Sequence, residues 1–257
     1  MQPLPLLTPE HALFLDFDGT LADIAPHPDA VRVPTGLVPT LSVLQAQLGG
    51  ALAILTGRRE SDVDAFLGPL RLPVASEHGA CWRLPDGTHP EVPAPDLTGV
   101  RMAAEQLAAA HPGLLVEHKR ATVALHYRHA QHLEPLCLET MTAAAGATEG
   151  VELMHGKCVV EVKPEGVNKG RALAGFMAFE PFRGRVPVFA GDDVTDEAGF
   201  VAAQSLGGRG IKIGEGPTQA LHRCLSPATF RGWLAAARTA LPPTPPLPPN
   251  ATWGHTA

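Results

Sequence analysis

The fold is decided by a short apolar run that ends in two carboxylates, Phe14-Leu15-Asp16-Phe17-Asp18-Gly19-Thr20. The apolar residues 12–15 are too few for a helix and favour a buried strand, and Gly19 permits a sharp turn after the carboxylates. In open α/β sheets the reactive groups gather beyond the carboxyl ends of the strands, which is where we expect Asp16 and Asp18. The alternative is a strand that ends in an ordinary Asp-Gly turn without chemistry.

Length, composition and charge limit the classes of partner. The chain has 257 residues, of which 45% are hydrophobic and 18% charged, and this is enough to bury a substantial core. The formal net charge is −6 and there is no block of Lys and Arg, so we expect no binding to nucleic acid or to an anionic membrane. Because the sequence shows neither a basic signal-like start nor an apolar run that could cross a bilayer, we expect a cytoplasmic protein.

The cysteines and the C-terminal tail are not predicted to take part in chemistry. The four cysteines are widely scattered, form no C-x-x-C pair and are predicted to be buried free thiols: Cys81, Cys137, Cys158 and Cys224. The tail, residues 242–257, is rich in proline and is predicted to be disordered.

Two further predicted strands end in polar residues. Residues 51–55 form a continuous apolar run, typical of a parallel strand covered on both faces, and lead into Thr56-Gly57-Arg58. Residues 186–190 form another strand and lead into an acidic turn, and a lone lysine begins a predicted helix between the two strands. The polar residues of these two segments are Lys169, Asp192, Asp193 and Asp196. Parallel strands place their carboxyl ends at one edge of a sheet, so we expect these side chains to converge on one site.

A segment of different composition and predicted secondary structure interrupts the pattern of parallel strands. An Ala-rich helix and then alternating strands begin near residue 96, which predicts a small α+β insert over residues 96–163. The core is then discontinuous and comprises residues 1–95 and 164–241. Within its second part we predict a final strand at residues 210–214, followed by a last helix.

The convergent residues predict phosphoryl transfer. Clustered carboxylates cannot all ionise without a compensating cation, and oxygen ligands of this kind favour Mg²⁺. Thr56 can donate a hydrogen bond to an anion, and Lys169 is a point charge at a helix N-terminus, where phosphate binds well. Together with an aspartate nucleophile, these groups suffice for transfer of a phosphoryl group.

The motifs D-x-D-G-T, T-G-R, a lone Lys and G-D-D-x-x-D, in this order, resemble the haloacid dehalogenase-like (HAD) phosphohydrolases. The resemblance implies an α/β fold: a Rossmann-like parallel-sheet HAD core with an inserted α+β cap domain of the C2B type. It also implies that Asp16 is the nucleophile and that Asp18 is the general acid and base. An Asp at the second position is typical of the phosphatases of this family and therefore favours hydrolysis.

The resemblance implies roles for the remaining core residues as well. Mg²⁺ would be held by the Asp16 carboxylate, the Asp18 backbone carbonyl and Asp192. The ligands and Lys169 would be held in place by Asp193 and Asp196. The phosphoryl oxygens would be neutralised by Thr56 and Lys169.

Charged residues at strand spacing in the insert point to a sugar, because Glu and Lys on a rigid sheet can hydrogen-bond hydroxyl pairs. The alternative is that they are solvated faces of the strands. The sequence of these segments is similar to the bacterial trehalose-phosphatase branch of the HAD enzymes. This resemblance implies that the distal glucose is bound by Glu117, Lys119 and Glu161. The other substrate-binding residues that the resemblance implies are Gly57, Arg58, His78, Arg128 and Lys157.

The resulting expectation is a Mg²⁺-dependent hydrolysis of trehalose 6-phosphate, in trehalose biosynthesis, by a monomer. One alternative is another sugar phosphatase of this cap type, acting on sucrose 6-phosphate or mannosylglycerate phosphate. Another is a regulator that binds a sugar phosphate without catalysis, although such a sensor has no need of both Asp16 and Asp18.

Overall fold

The computed structural model describes residues 2–25, 30–91 and 94–243. The strands within these ranges are β1 (His11–Leu15), β2 (Leu52–Leu55), β3 (Val74–Ser76), β4 (Cys81–Arg83), β5 (Leu115–His118), β6 (Val123–His126), β7 (Val151–Gly156), β8 (Val159–Pro164), β9 (Val186–Gly191), β10 (Arg209–Ile213) and β11 (His222–Cys224). The helices are α1 (Leu37–Gln47), α2 (Glu60–Leu67), α3 (Thr98–Ala110), α4 (Glu134–Gly146), α5 (Lys169–Phe176), α6 (Glu197–Ser205) and α7 (Pro227–Ala240).

The central feature is a seven-stranded sheet of order β11-β10-β9-β1-β2-β3-β4. Strand β1 lies in its middle and pairs in parallel with β2 on one side and β9 on the other. Because side chains alternate along a strand, Leu13 and Leu15 enter one apolar core, while Phe14 enters the core on the opposite face. A strand covered on both faces is apolar along its length, and its first polar side chain therefore appears only at its end, as Asp16.

A second, antiparallel sheet of order β5-β6-β8-β7 is formed by strands between residues 115 and 164, in the region where the sequence predicts an α+β insert. One face of this sheet packs on α3 and α4 through a core that includes Val123, Leu125, Val160, Val162 and Met141. On the opposite face the register aligns Glu117, Ala124 and Glu161 in a row across three neighbouring strands. The alternation of these strands therefore separates apolar residues under the helices from polar residues on the free face.

The predicted fold class, an α/β protein with a Rossmann-like parallel sheet, is confirmed. Two edge strands were not predicted: β4, which runs antiparallel to β3, and β11, which pairs in parallel with β10. The strand predicted at residues 210–214 is present as β10, but it is not the final strand of the chain. Both edge strands are only three residues long, too short for a periodic signal, and pairing with a neighbour defines them.

Several smaller expectations can also be compared with the structure. All four cysteines are free thiols, but only Cys137 and Cys224 are buried, whereas Cys81 and Cys158 are partly exposed. From residue 244 onward, the tail lies outside the described residues. Among the helices that are described, none is both long and apolar enough to span a membrane.

Candidate active site

Three carboxylates meet at the carboxyl edge of the central sheet. Asp16 follows β1, Asp192 follows β9, and Asp196 ends the short 3-10 turn Val194–Asp196 after β9. Each offers a carboxylate oxygen that lies within 4.8 Å of the other two. Parallel pairing of β1 with β9 brings these segments together, although they are far apart in sequence.

Lys169 joins two of these carboxylates. Its Nζ donates to Asp16 Oδ1 and to Asp196 Oδ1, each at 2.6 Å, and the side chain is almost completely buried. Burial opposes the charge of this amine, but the two carboxylates outweigh burial and raise the pKa of Lys169. An ammonium has three donors, so one remains after these two bonds.

Two of these carboxylates, Asp16 and Asp192, resist ionisation. Burial, and then the neighbouring acids, raise the pKa of Asp16 well above its usual range in spite of Lys169, and they raise the pKa of Asp192 to about 7. Lys169 thus compensates only part of the negative charge. A buried set of carboxylate oxygens with a charge still to be compensated fits a hard divalent cation such as Mg²⁺.

Two glycines leave room for the acidic cluster. Gly19 has φ +77°, and a Cβ at this position would lie 2.1 Å from Asp192 Oδ2. Similarly, a Cβ at Gly191 would lie 2.2 Å from Asp196 Cγ. Any side chain at either position would push a carboxylate out of place. This explains why glycine stands at position 19, after β1, and at position 191, directly before the acidic turn that follows β9.

The carboxylate of Asp18 does not join the cluster. It is held by Arg58, whose Nε donates to Oδ2 at 2.5 Å and whose Nη2 donates to Oδ1 at 2.7 Å. Thr56, buried at the end of β2, lies beside this pair and accepts a hydrogen bond from Arg58 N at 3.2 Å through its Oγ1. The Thr56 oxygen is thereby used as an acceptor, and its hydroxyl proton can be donated to an anion.

The free face of the second sheet meets the end of β2. Lys119 Nζ donates to Gly57 O and to Glu161 Oε1, both at 3.0 Å, and Glu161 also accepts from Thr122 Oγ1 at 2.5 Å. His78 Nε2 lies 3.4 Å from Glu161 Oε2. Burial would raise the pKa of Glu161, but these partners, Lys119 above all, hold it well below its usual range.

The other predicted residues lie in different surroundings. Glu117 pairs with His126 at 3.0 Å, and Arg128 Nη2 donates to the carbonyl of Lys157, whose side chain is exposed at the turn between β7 and β8. Asp193 is exposed, and its carboxylate accepts from Val194 N at 2.6 Å. It therefore caps the 3-10 turn, whereas Asp196, expected beside the ligands, is part of the three-carboxylate group.

A cleft of about 310 Å³ lies beside Lys169, between β7 and the segment that begins α6. This volume is at the lower end of the range for ligand pockets. Besides His78, Lys163 and Lys169, the cleft is lined by Met154, His155 and Thr195, which the sequence reasoning did not select as site residues. Thr195 lies inside the G-D-D-x-x-D motif, and Met154 and His155 lie just before Gly156-Lys157. This closeness to predicted site residues was the only feature of the sequence that could have indicated them.

A family model described as trehalose-phosphatase matches residues 14–221. The chain belongs to the trehalose-phosphatase family. The matched range of this trehalose-phosphatase homologue includes every core motif and the whole second sheet.

Individual proteins that are similar to this chain carry the same family name. The chain is 43% identical to the trehalose-6-phosphate phosphatase of Escherichia coli (strain K12) over 243 residues, which is 92% of this chain and 90% of the relative. It is 28% identical to a solved trehalose-6-phosphate phosphatase related protein, with a TM-score of 0.73 over 89% of this chain and 97% of the other. A haloacid dehalogenase-like hydrolase from B. subtilis, 16% identical, covers 90% of this chain and all of the other with a TM-score of 0.64, which shows the shared HAD fold.

Proposed function

We propose that this protein hydrolyses trehalose 6-phosphate to trehalose and inorganic phosphate, and thereby serves trehalose biosynthesis. The observation that carries the proposal is the pairing of Asp16 with Lys169 in a buried acidic cluster at the strand ends. Membership of the trehalose-phosphatase family supports the choice of substrate.

The two carboxylates of the first motif have different parts in this mechanism. An oxygen of Asp16 attacks phosphorus in line, the bond to the sugar oxygen breaks, and Asp18 gives that oxygen a proton. Asp18 then takes a proton from water, which attacks the aspartyl-phosphate and releases phosphate and the Asp16 carboxylate. Because Arg58 occupies both oxygens of Asp18, it has to release at least one of them when the substrate enters.

The phosphoryl group is held by donors that remain after the internal bonds are counted. Lys169 has one N–H beyond those to Asp16 and Asp196, and Thr56 has its hydroxyl proton. Asp16, Asp192 and the Asp18 backbone carbonyl are the proposed ligands of Mg²⁺, with Asp193 and Asp196 supporting them. When bound, this ion supplies charge compensation for the acidic cluster and for the phosphoryl oxygens.

The second unit, residues 96–163, serves as a cap of the C2B type that selects the sugar. Ala124 lies between Glu117 and Glu161, so the backbones of the two glutamates are two strand spacings apart, roughly 10 Å, across a small residue. Two carboxylates on one face of a sheet, with Lys119 and His78 beside them, suit a disaccharide rich in hydroxyl groups. Arg128, Lys157, Gly57 and Arg58 complete the proposed pocket.

Phosphate release from a panel of sugar phosphates tests the proposal. With Mg²⁺ present, kcat/KM for trehalose 6-phosphate should exceed that for sucrose 6-phosphate and glucose 6-phosphate by at least about tenfold, since the other sugars would lose hydrogen bonds between their hydroxyl groups and the cap. Asp16→Asn should abolish turnover, and its bound trehalose 6-phosphate should remain intact. Equal efficiency across the panel contradicts the substrate, and an active Asp16→Asn variant contradicts the mechanism.

Location and assembly are part of the same proposal. A phosphorylated disaccharide is anionic and polar, so an enzyme that consumes it is placed in the compartment where it is made, which we take to be the cytoplasm. One chain contains every proposed site residue, and a monomer is therefore sufficient. Sedimentation of the active enzyme measures its oligomeric state directly.

A further inference from the structure

Glu77 connects the core to the second sheet through two hydrogen bonds. It is 2% exposed, and its Oε1 and Oε2 accept from Arg120 N at 3.0 Å and from Ala121 N at 2.7 Å. These two amides belong to the short turn, residues 119–122, that joins β5 to β6. One carboxylate of the core thus binds the tip of a hairpin of the insert.

The backbone around Glu77 is arranged to make this contact. Glu77 and His78 both adopt left-handed conformations, with φ 50° and 61°, which side-chain-bearing residues rarely adopt. Their amides donate to the carbonyls at the end of β2: Glu77 N to Arg58 O at 3.0 Å and His78 N to Thr56 O at 2.9 Å. The same strained turn therefore ties the T-G-R segment by its backbone and the hairpin by its side chain.

The hairpin tip matters because of the residue that precedes it. The turn closes with a bond from Lys119 N to Thr122 O at 3.1 Å. The Lys119 side chain then reaches Gly57 O and Glu161 Oε1, both at 3.0 Å. Since Arg120 directly follows Lys119, fixing the amides of the tip also fixes the point from which the lysine extends.

We propose that Glu77 is a positioning residue that docks the 119–122 turn against the core and so places Lys119 for sugar recognition. This inference rests on the proposed function for its substrate, and on the hydrogen bonds of Glu77 for its mechanism. It assigns Glu77 to specificity and not to the chemical step, because its two carboxylate oxygens are occupied by Arg120 and Ala121.

The test compares Glu77→Ala and Glu77→Gln with the wild-type enzyme. Loss of charge-assisted bonds should raise KM for trehalose 6-phosphate about tenfold in Glu77→Ala and leave kcat within about twofold. An aryl phosphate, p-nitrophenyl phosphate, has no sugar for Lys119 to bind, so its kcat/KM should change less than about twofold. Glu77→Gln keeps one acceptor and should show a smaller rise in KM.

Amide hydrogen exchange gives a readout independent of catalysis. The amide of Ala121 should exchange at least about tenfold faster in Glu77→Ala than in the wild-type protein, while amides of β1 keep their rates. If the wild-type enzyme does not hydrolyse trehalose 6-phosphate, the proposed function fails, and the exchange rates still decide whether Glu77 docks the turn.

Asp64→Asn is the matched control for stability. Asp64, on α2, forms a partly buried pair with Arg83 and is not among the partners of the hairpin. Asp64→Asn should lower Tm without changing the ratio of kcat/KM for trehalose 6-phosphate to kcat/KM for p-nitrophenyl phosphate. Unchanged Ala121 exchange in Glu77→Ala, or an equal loss with both substrates, would overturn the proposal.

Discussion

Arg58 holds both oxygens of Asp18 in a bidentate pair, with bonds of 2.5 Å and 2.7 Å. The guanidinium also lies 4.9 Å from the centre of the Phe66 ring. Burial disfavours its charge, but the hydrogen bonds that it donates to Asp18 and the charge of that carboxylate outweigh burial and raise the pKa of Arg58. The proposed general acid and base is therefore positioned by a planar cation that is itself held by an aromatic ring.

Replacement of Arg58 by lysine tests this pair. An ammonium cannot form two parallel bonds to one carboxylate, so Arg58→Lys should lower kcat/KM by about tenfold or more. The neighbouring Arg59 is exposed and lies 3.8 Å from Asp62, which makes Arg59→Lys the control; it should keep wild-type kinetics. Equal kinetics for both variants would mean that Arg58 does not position Asp18.

Removal of Lys169 tests the charge balance of the cluster. Lys169→Met leaves Asp16 and Asp196 without their cation, and breaking such a buried pair should lower the free energy of unfolding by about 3–5 kcal/mol at neutral pH. Arg171→Met, on the exposed side of the same helix, should stay within about 0.5 kcal/mol. Urea unfolding without Mg²⁺ measures the free energy of unfolding of each variant. Equal free energies for the two variants would contradict the prediction.

Glu161 should give the fold a stability that depends on acid pH. A carboxyl whose pKa is lower in the folded state stabilises above its unfolded pKa and loses that contribution as the pH falls toward the folded value. The difference in unfolding free energy between wild type and Glu161→Gln should therefore shrink by about 2 kcal/mol between about pH 6 and pH 3. A difference between wild type and Glu161→Gln that stays constant over this pH range would contradict the pairing of Glu161 with Lys119.

Mg²⁺ should stabilise the protein more strongly at higher pH. Since burial and the neighbouring acids raise the pKa of Asp192 to about 7, the metal-free folded state retains a proton there and loses stability as the pH rises from the unfolded pKa toward 7. Mg²⁺ has to displace that proton, so the rise in Tm on adding Mg²⁺ should be larger at about pH 8 than at about pH 5. Asp192→Asn should remove most of this rise, and equal rises at both pH values would contradict the site.

Gly19 and Gly36 form a matched pair of glycines. Both have positive φ, but a Cβ at Gly36 meets nothing within 4 Å, whereas one at Gly19 would meet Asp192 at 2.1 Å. Gly36→Ala should lower stability by about 1 kcal/mol and retain activity, whereas Gly19→Ala should also lose Mg²⁺-dependent turnover. Similar activity in both variants would mean that the close approach to Asp192 is unimportant.

The sequence by itself determined where the strands end and which polar groups stand there. Apolar runs that are covered on both faces cannot accept a polar side chain, so Asp16, Thr56 and Asp192 had to follow their strands. The sequence also predicts that Lys169 begins a helix. These are local patterns, and the parallel topology they predict brings the strand ends to one edge of the sheet. The resemblance to the HAD-like phosphohydrolases rests on the same residues.

Only the tertiary structure decided which of these groups touch. Lys169 contacts Asp196 across 27 positions, Arg58 contacts Asp18 across 40, and Glu77 contacts Ala121 across 44. No periodicity encodes such pairs, because they depend on register, turn geometry and the docking of the insert. The three-residue strands β4 and β11 were missed for the same reason: neighbouring strands, not their own sequence pattern, hold them in place.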